Sequence, residues 1–402
     1  MRVENETLLK ALILTRGVEF SKHSLELAQT VGAKRQNCVY NLPKGSDYMR
    51  PQELMITGLD GYQTVVSCVA VTNHTAAVYV DVIDGEMVAY VDDKLFQDVE
   101  LQYVLEPKYY ATPLNDKETV RDYVSSCGLD EMNILPWKGC AIEKGCKFCG
   151  VNKVTKSRDD KFTAFGISQN EKLWVDKKEA YLSNLVKAVN LAKDDDCFKE
   201  HKHLILISGN LSNDKLDYQS QIYAEIAEKL ASVEGLNATE GLISVMMPPK
   251  DIKHLKLLKQ CGIDIVVFNL EVANEPWFSK YCPGKKELGI DFIEERLYEA
   301  VRVFGEKKVW TNFVLGLEPI DLLLNEVEKY AKLGIISSAN VLHLDEGNSL
   351  DCSLPTIEEV LIFFGKLAII YKKYDMKPFY CSKALRTSLA NEAFDNRFVL
   401  EA

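Results

Sequence analysis

Residues 133–150 read Asn133-Ile134-Leu135-Pro136-Trp137-Lys138-Gly139-Cys140-Ala141-Ile142-Glu143-Lys144-Gly145-Cys146-Lys147-Phe148-Cys149-Gly150. An apolar, strand-like start (Asn133–Trp137) runs into a loop with the spacing C-x5-C-x2-C. The thiolates of Cys140, Cys146 and Cys149 are soft ligands, suited to iron–sulfur clusters and zinc. Gly139, Gly145 and Gly150 let the backbone wrap closely around a bulky guest. A structural zinc ion normally takes four protein ligands. The neighbouring cysteines, Cys127 and Cys197, stand at no ligand-like spacing. Three cysteines on a [4Fe–4S] cluster leave one iron open to a small molecule.

Outward from this loop, from about residue 130 onward, strand-like and helix-like segments alternate. Strand-like runs follow at His203–Ser208, Leu242–Met246, Ile263–Leu270, Val309–Leu315 and Ala339–Leu344. Helical periodicity marks Lys178–Lys193, Gln219–Val233, Ile252–Cys261, Asp291–Phe304, Leu322–Leu333 and Ile357–Tyr374. Six β–α units predict a parallel sheet with right-handed crossovers, either an open doubly wound sheet or a partial (β/α) barrel. In both, reactive groups gather at the C-terminal ends of the strands.

Residues 1–112 read differently. Helical segments at Leu8–Leu14 and Ser21–Val31 precede β-branched runs at Val65–Val71 and Ala77–Val82. Asp84-Gly85, between Val82-Ile83 and Met87–Val91, is a hairpin signal. The expectation is a small N-terminal α+β accessory domain without a catalytic motif, serving as a packing or lid unit or recruiting substrate. Residues 113–380 form the α/β barrel domain, and 381–402 a tail closing its open side.

Composition narrows the function classes. The chain has 402 residues, 47% hydrophobic, with a formal net charge of −11. An acidic balance argues against nucleic acid or an anionic membrane as the main partner. No run approaches the roughly 18 apolar residues that a membrane span requires, and the polar start Met1–Glu6 opens no signal-peptide pattern. The expected location is cytoplasmic. Eleven cysteines, an odd number in a large chain without an export signal, argue against a disulfide framework.

The cysteine loop resembles that of the radical S-adenosylmethionine (radical SAM) superfamily, including an aromatic residue, Phe148, directly before the last cysteine. The usual superfamily spacing is C-x3-C-x2-C. The longer first gap here is similar to that of the maturase for the iron-guanylylpyridinol cofactor. Among radical SAM groups the remaining motifs look closest to biotin synthase. The resemblance covers roughly residues 130–380. It implies a partial (β/α)6 barrel, a [4Fe–4S] cluster on Cys140, Cys146 and Cys149, and SAM on the open iron. Ser208-Gly209-Asn210 then corresponds to the turn whose backbone receives the SAM amino group. Asn269 and Glu271 correspond to an Asn-x-acid pair holding the ribose hydroxyls. Leu315, Gly316 and Glu318 correspond to a glycine-rich strand end beside the adenine.

The same resemblance implies a flavodoxin or ferredoxin reductant and a 5′-deoxyadenosyl radical acting on a small metabolite or a cofactor precursor. His343, Asp345, Cys381 and Arg386 are the candidates for catalytic or substrate contacts, with Arg386 or Lys383 suited to a substrate carboxylate. Tyr281-Cys282-Pro283-Gly284-Lys285 belongs to the resemblance without an assigned role, and Cys282 is not expected to be a ligand. Two alternatives stay open: a zinc-binding structural protein with a distant fourth ligand, and an enzyme modifying a protein- or carrier-bound substrate through residues 1–112.

Overall fold

The computed structural model describes residues 2–35, 50–69, 77–129, 131–151, 162–195, 203–236, 241–344, 350–378 and 385–400. The described N-terminal elements are β1 (Arg2–Val3), α1 (Asn5–Arg16), β2 (Val18–Phe20), α2 (Lys22–Val31), β3 (Glu53–Gly58), β4 (Gln63–Ser67), β5 (Val78–Ile83), β6 (Glu86–Val91), β7 (Lys94–Phe96) and β8 (Val99–Tyr103). They make two small sheets, ordered β2-β5-β6-β7 and β4-β3-β8. Asp84 (φ 52°) and Gly85 (φ 87°) form the tight turn between β5 and β6, since both central residues of such a hairpin need positive φ. Ser21 caps α2 by accepting from Ser24 N, replacing a partner that helix geometry denies the first N–H groups.

The larger unit follows: β9 (Val124–Cys127), β10 (Glu131–Ile134), α3 (Ala164–Gln169), α4 (Lys172–Ala192), β11 (His203–Ile207), α5 (Leu216–Leu230), β12 (Leu242–Val245), α6 (Lys253–Gln260), β13 (Ile265–Val267), α7 (Trp277–Tyr281), α8 (Pro283–Lys286), α9 (Ile290–Phe304), β14 (Val309–Leu315), α10 (Ile320–Lys332), β15 (Ile335–Val341) and α11 (Ile357–Lys373). Its seven-stranded sheet runs β15-β14-β13-β12-β11-β10-β9. Strands β10 to β15 are parallel, and β9 is antiparallel on the outer edge of β10. The parallel strands lie side by side in chain order. A doubly wound sheet would reverse its order at a switch point. Without reversal, crossovers of one hand put every helix on one face, which bends the sheet toward a barrel. The architecture is α/β, a partial (β/α)6 barrel.

The two faces of this sheet differ. Met132, Ile134, Leu206, Phe313 and Leu315 are fully buried, and Phe313 stacks on Tyr330 of α10. On the other face, register aligns Asn133 with Ile205, Ile207 with Val245, Asn312 with Ser338, and Val314 with Asn340. Here Asn133, Val245, Asn312 and Asn340 remain partly open and Ile207 is 36% exposed, while Ile205, Ser338 and Val314 are buried. This is the concave inner face. Among the described residues it presents amides and aliphatic groups, with Glu131 as a charge at its lower end.

Three strands differ clearly from expectation. The first parallel strand is Glu131–Ile134 rather than Asn133–Trp137. The sixth parallel strand is Ile335–Val341 rather than Ala339–Leu344. Its early half carries Ser337 and Ser338, which interrupt the apolar run, yet both are buried, and Ser337 O accepts from Tyr371 Oη of α11. The fourth ends at Val267, and the chain rejoins the sheet only at a bridge between Glu271 and Phe313.

The chain ends are interlocked. After α12 (Ala390–Phe394), β16 (Phe398–Val399) pairs with β1. Lys10 donates to Glu392 Oε1 at 2.8 Å, and Arg397 Nε to Glu6 Oε1 at 2.8 Å. Val341 N donates to Thr387 O and Ser67 N to Arg386 O, so residues 386–387 lie between the barrel edge and the N-terminal sheet. No helix among the described residues is long and apolar enough to cross a membrane.

Candidate functional site

The cysteine loop leaves β10 at the C-terminal end of the parallel sheet and is held there by the next strand end. Trp137 Nε1 donates to Gly209 O at 2.6 Å, and Ser208 Oγ donates to Trp137 O. Ala141 N donates to Asn210 O at 2.7 Å. A Cβ built on Gly209 would lie 2.2 Å from Gly139 O and 2.7 Å from Cys140 Cβ. Only glycine permits that approach of two backbones. Cys140, Cys146 and Cys149 are of intermediate exposure and in no disulfide, and Cys149 N donates back to Cys146 O at 3.1 Å in the turn that brings them round. Among the described residues, no three His, Cys, Asp or Glu side chains group as they would around a single metal ion.

The loop's second wall is the segment 281–286. Lys147 N donates to Tyr281 O at 2.9 Å. A Cβ on Gly284 would lie 2.4 Å from both Glu143 O and Ile142 Cγ2. Pro283 opens α8, a first-turn position where its missing N–H costs nothing. This packing delivers two side chains to the thiols. Cys282 is completely buried. Its neighbouring thiol, then burial, raises the Cys146 thiol well above its ordinary pKa. Burial also raises Cys140.

Lys285 is only 4% exposed. Its ammonium donates to Asn269 O at 2.6 Å and to Glu271 Oε1 at 3.0 Å. Burial opposes its charge, but Glu271 and the thiols of Cys146 and Cys282 outweigh burial and hold its pKa above the ordinary lysine value. A buried cation near the thiols of Cys140, Cys146 and Cys282 favours the deprotonated sulfurs that a metal requires, against the burial that raises Cys140 and Cys146. The chemistry of these donors, soft sulfur beside a buried ammonium, fits a thiolate-bound cluster.

The other residues singled out from the sequence fall at the same strand ends. Asn210 Oδ1 accepts from Gln219 Nε2 at 3.0 Å and Met247 N at 2.7 Å, so its side chain braces the turn while its backbone meets the cysteine loop. Asn269 follows β13, and its Oδ1 is buried without a hydrogen-bond partner. Glu271 has φ 71°, a left-handed conformation that a non-glycine residue seldom adopts. Both its N and its O are bonded to β14, at Asn312 O and Val314 N. Simple alternation from Asn269 is thus broken, and the Glu271 carboxylate turns to Lys285. Phe148 packs against the core at intermediate exposure.

Leu315 is buried at the end of β14, and Gly316 (φ 111°) lies so close to Pro355 that a Cβ would stand 2.9 Å from Cδ. Glu318 is buried. Its Oε1 accepts from Ala273 N at 2.6 Å and its Oε2 from Asn274 Nδ2 at 2.7 Å. It thereby fixes the segment after Glu271.

His343 stands two residues beyond β15, its Nδ1 3.0 Å from Val341 O. Arg386 precedes Thr387, whose O accepts from Val341 N at the end of β15, and its own guanidinium joins an ionic cluster, donating to Glu53 Oε1 at 2.9 Å, while Lys34 Nζ lies 2.5 Å from Glu53 Oε2. Asp345, Cys381 and Lys383 lie outside the described residues. Sequence reading passed over Lys285 and gave Cys282 no role. The available signal was the sequence Cys282-Pro283-Gly284-Lys285, in which proline sets a helix start and glycine a close approach.

No family model matches the chain. Bacteriochlorophyllide c C-7(1)-hydroxylase of Chlorobaculum limnaeum is 29% identical over 161 residues, 39% of this chain and 40% of that relative. The chain thus matches less than half the length of this relative. Among solved structures, the FeFe-hydrogenase maturase HydG from Carboxydothermus hydrogenoformans is similar at 12% identity and a TM-score of 0.41, over 64% of this chain and 56% of that one. A radical SAM methyltransferase from Sphaerobacter thermophilus is similar at 13% identity and a TM-score of 0.39, over 76% and 78%.

Proposed function

We propose that this chain is a radical SAM enzyme in which Cys140, Cys146 and Cys149 hold a [4Fe–4S] cluster with an iron open to SAM. The observation that carries the reading is the three-thiol loop at the C-terminal end of a parallel barrel sheet, walled by two glycine contacts and a buried ammonium. When bound, such a cluster supplies the electron that cleaves the SAM sulfonium bond and yields a 5′-deoxyadenosyl radical.

The chain's own residues do the holding. Gly209 brings the turn of residues 208–210 against the cysteine loop, which supports its backbone as the receiver of the SAM amino group. Asn269, whose amide oxygen has no partner, suits a ribose hydroxyl. Glu271 is the second ribose candidate, already oriented by Lys285. Leu315, Gly316 and Glu318 make the wall proposed for the adenine, Glu318 acting by fixing residues 273 and 274.

The substrate is a small molecule or cofactor precursor entering the concave face. The amide and aliphatic lining there, from Asn133, Asn312, Asn340, Ile207, Val245 and Val314, suits a largely apolar molecule with a few neutral polar groups. The partial relative that hydroxylates a bacteriochlorophyllide agrees with that class. A flavodoxin or ferredoxin is the proposed electron donor, and residues 1–112 are an accessory unit locked to the tail.

The test is oxygen-free reconstitution with iron and sulfide, followed by an assay for 5′-deoxyadenosine with SAM and dithionite, alongside Cys146→Ala. Iron uptake with deoxyadenosine that vanishes in the variant supports the reading. A protein that takes up zinc and no iron overturns it.

A further inference from the structure

One polar side chain of the concave face is set by the tail. β15 ends the parallel sheet, and its free edge is met where Val341 N donates to Thr387 O at 2.8 Å. The same stretch of tail is held from the N-terminal unit. Ser67 N donates to Arg386 O at 2.9 Å, and Lys10 Nζ to Leu385 O at 2.8 Å. From this fixed backbone the Thr387 hydroxyl donates to Asn340 Oδ1 at 2.7 Å. Asn340 stands half-buried on the inner face, in register with Val314, which offers an amide no hydrogen bond. The Asn340 oxygen is thus engaged, while its Nδ2 has no hydrogen-bond partner among the described residues. That nitrogen is a donor only.

We propose that Asn340 is a specificity-determining residue, donating from Nδ2 to a neutral carbonyl oxygen of the substrate, and that Thr387 is the positioning residue that fixes the amide for it. The inference rests on the reading of the concave face as the entry for a largely apolar small molecule. A carboxylate or phosphate calls for a cation. Among the described residues, the inner face of the parallel strands carries no lysine or arginine, and the nearby Arg386 guanidinium is committed to Glu53. A ketone, ester or amide oxygen is served by one neutral donor. Thr387 matters because an amide has a donor on one side and an acceptor on the other. Without the hydroxyl, a half-turn of the amide exchanges the two and sets an acceptor against the carbonyl. Holding the amide in advance also removes the cost of ordering it on binding.

The experiment uses the full chain, reconstituted without oxygen, and three probes of like shape: 2-acetylnaphthalene, 2-isopropenylnaphthalene and 2-naphthoate. Dissociation constants are measured by equilibrium dialysis for wild type, Asn340→Leu, Thr387→Val and Thr387→Ser, after melting temperatures and iron contents have been compared. Wild type is expected to bind the ketone more tightly than the naphthoate. The ratio of ketone to alkene dissociation constants is expected to rise about 3- to 10-fold in Asn340→Leu and in Thr387→Val, the worth of one neutral hydrogen bond, and to stay at the wild-type value in Thr387→Ser. Thr387→Val tests the donor without altering the residue that meets the probe. A merely structural Thr387 would lower the melting temperature and leave the ratio unchanged, and that outcome overturns its positioning role. An unchanged ratio in Asn340→Leu, or a naphthoate bound as tightly as the ketone by wild type, overturns the assignment of Asn340 alone. A wild-type protein that binds none of the three probes overturns the reading of an apolar concave face on which the assignment rests.

Discussion

Arg386 donates to Glu53 at 2.9 Å across 333 residues of sequence, and Lys34 meets the other oxygen of the same carboxylate. Glu53 and Lys34 have no exposed side-chain surface. Lys34 Nζ donates to Gly128 O at 3.1 Å, and Gly128 N donates to Glu53 Oε1 at 3.2 Å. The charges thus tie the tail and the N-terminal sheet to the turn between β9 and β10. A buried pair contributes little net stability when intact, but removing one partner strands the other and costs about 3–5 kcal/mol. Glu53→Gln leaves two cations facing a neutral amide. Chemical denaturation is expected to show a loss of that size. Arg386→Met, which keeps the Lys34–Glu53 pair, is expected to lose less.

Gly209 offers a test of the cluster wall that involves no ligand. Alanine there places its Cβ 2.2 Å from Gly139 O, and backbone cannot swing aside as a flexible side chain does. Overpacking of this kind costs about 1–3 kcal/mol and shifts the neighbouring backbone. Gly209→Ala is expected to destabilise the protein by that amount and to lower iron uptake on reconstitution, with the three cysteines intact. Gly145→Ala is the control. A Cβ at 145 meets only Ile142 O, at 3.9 Å, and unchanged stability is expected there.

The contrast between these sites explains what the sequence could tell. The cysteine loop was legible because its information is local: three thiols and their spacing sit within one loop. The parallel sheet was legible because β-branched runs and helical periods alternate in order, and the Asp84-Gly85 turn because its positive φ values demand those residue types. The sixth strand was misplaced because two buried serines look like a break in an apolar run. The Lys285–Glu271 and Glu53–Arg386 contacts carry no periodic or spacing signal. Each arises only when tertiary packing brings distant segments together. Asn269 and Glu271 stand two apart, a spacing that puts both side chains on one face of a regular strand, but the backbone at Glu271 is left-handed and its carboxylate meets Lys285.

Glu318 shows how a residue expected beside a ligand can act through its neighbours. Both carboxylate oxygens accept N–H bonds from residues 273 and 274. Glu318→Gln turns one of these contacts into donor facing donor, at a cost of about 1–3 kcal/mol for the group left unsatisfied. Burial raises the Glu318 pKa, with the two hydrogen bonds opposing it. The folded state therefore holds this proton more tightly than the unfolded state. The associated stabilisation is complete below the unfolded carboxyl value and declines from about pH 4 upward, as the unfolded state ionises. The Gln variant is expected to lack that component of the pH slope in denaturation experiments.

Glu271 and Lys285 supply the sharpest stability prediction, because strain and charge are superimposed there. Lys285→Met removes the cation that faces Glu271 and the thiols, and leaves a mostly buried carboxylate beside them. Glu271→Gln does the reverse. Each single variant is expected to lose about 3–5 kcal/mol. The double variant leaves no stranded charge and is expected to lose clearly less than the sum, so a double-mutant cycle should give a large favourable coupling. Glu271→Gly separates the backbone from the charge: glycine accepts φ 71° without strain but still abandons Lys285. It is expected to fall between Glu271→Gln and wild type in stability. If Glu271→Gly is instead as unstable as Glu271→Gln, the left-handed conformation stores little energy and the ion pair alone governs this corner of the site.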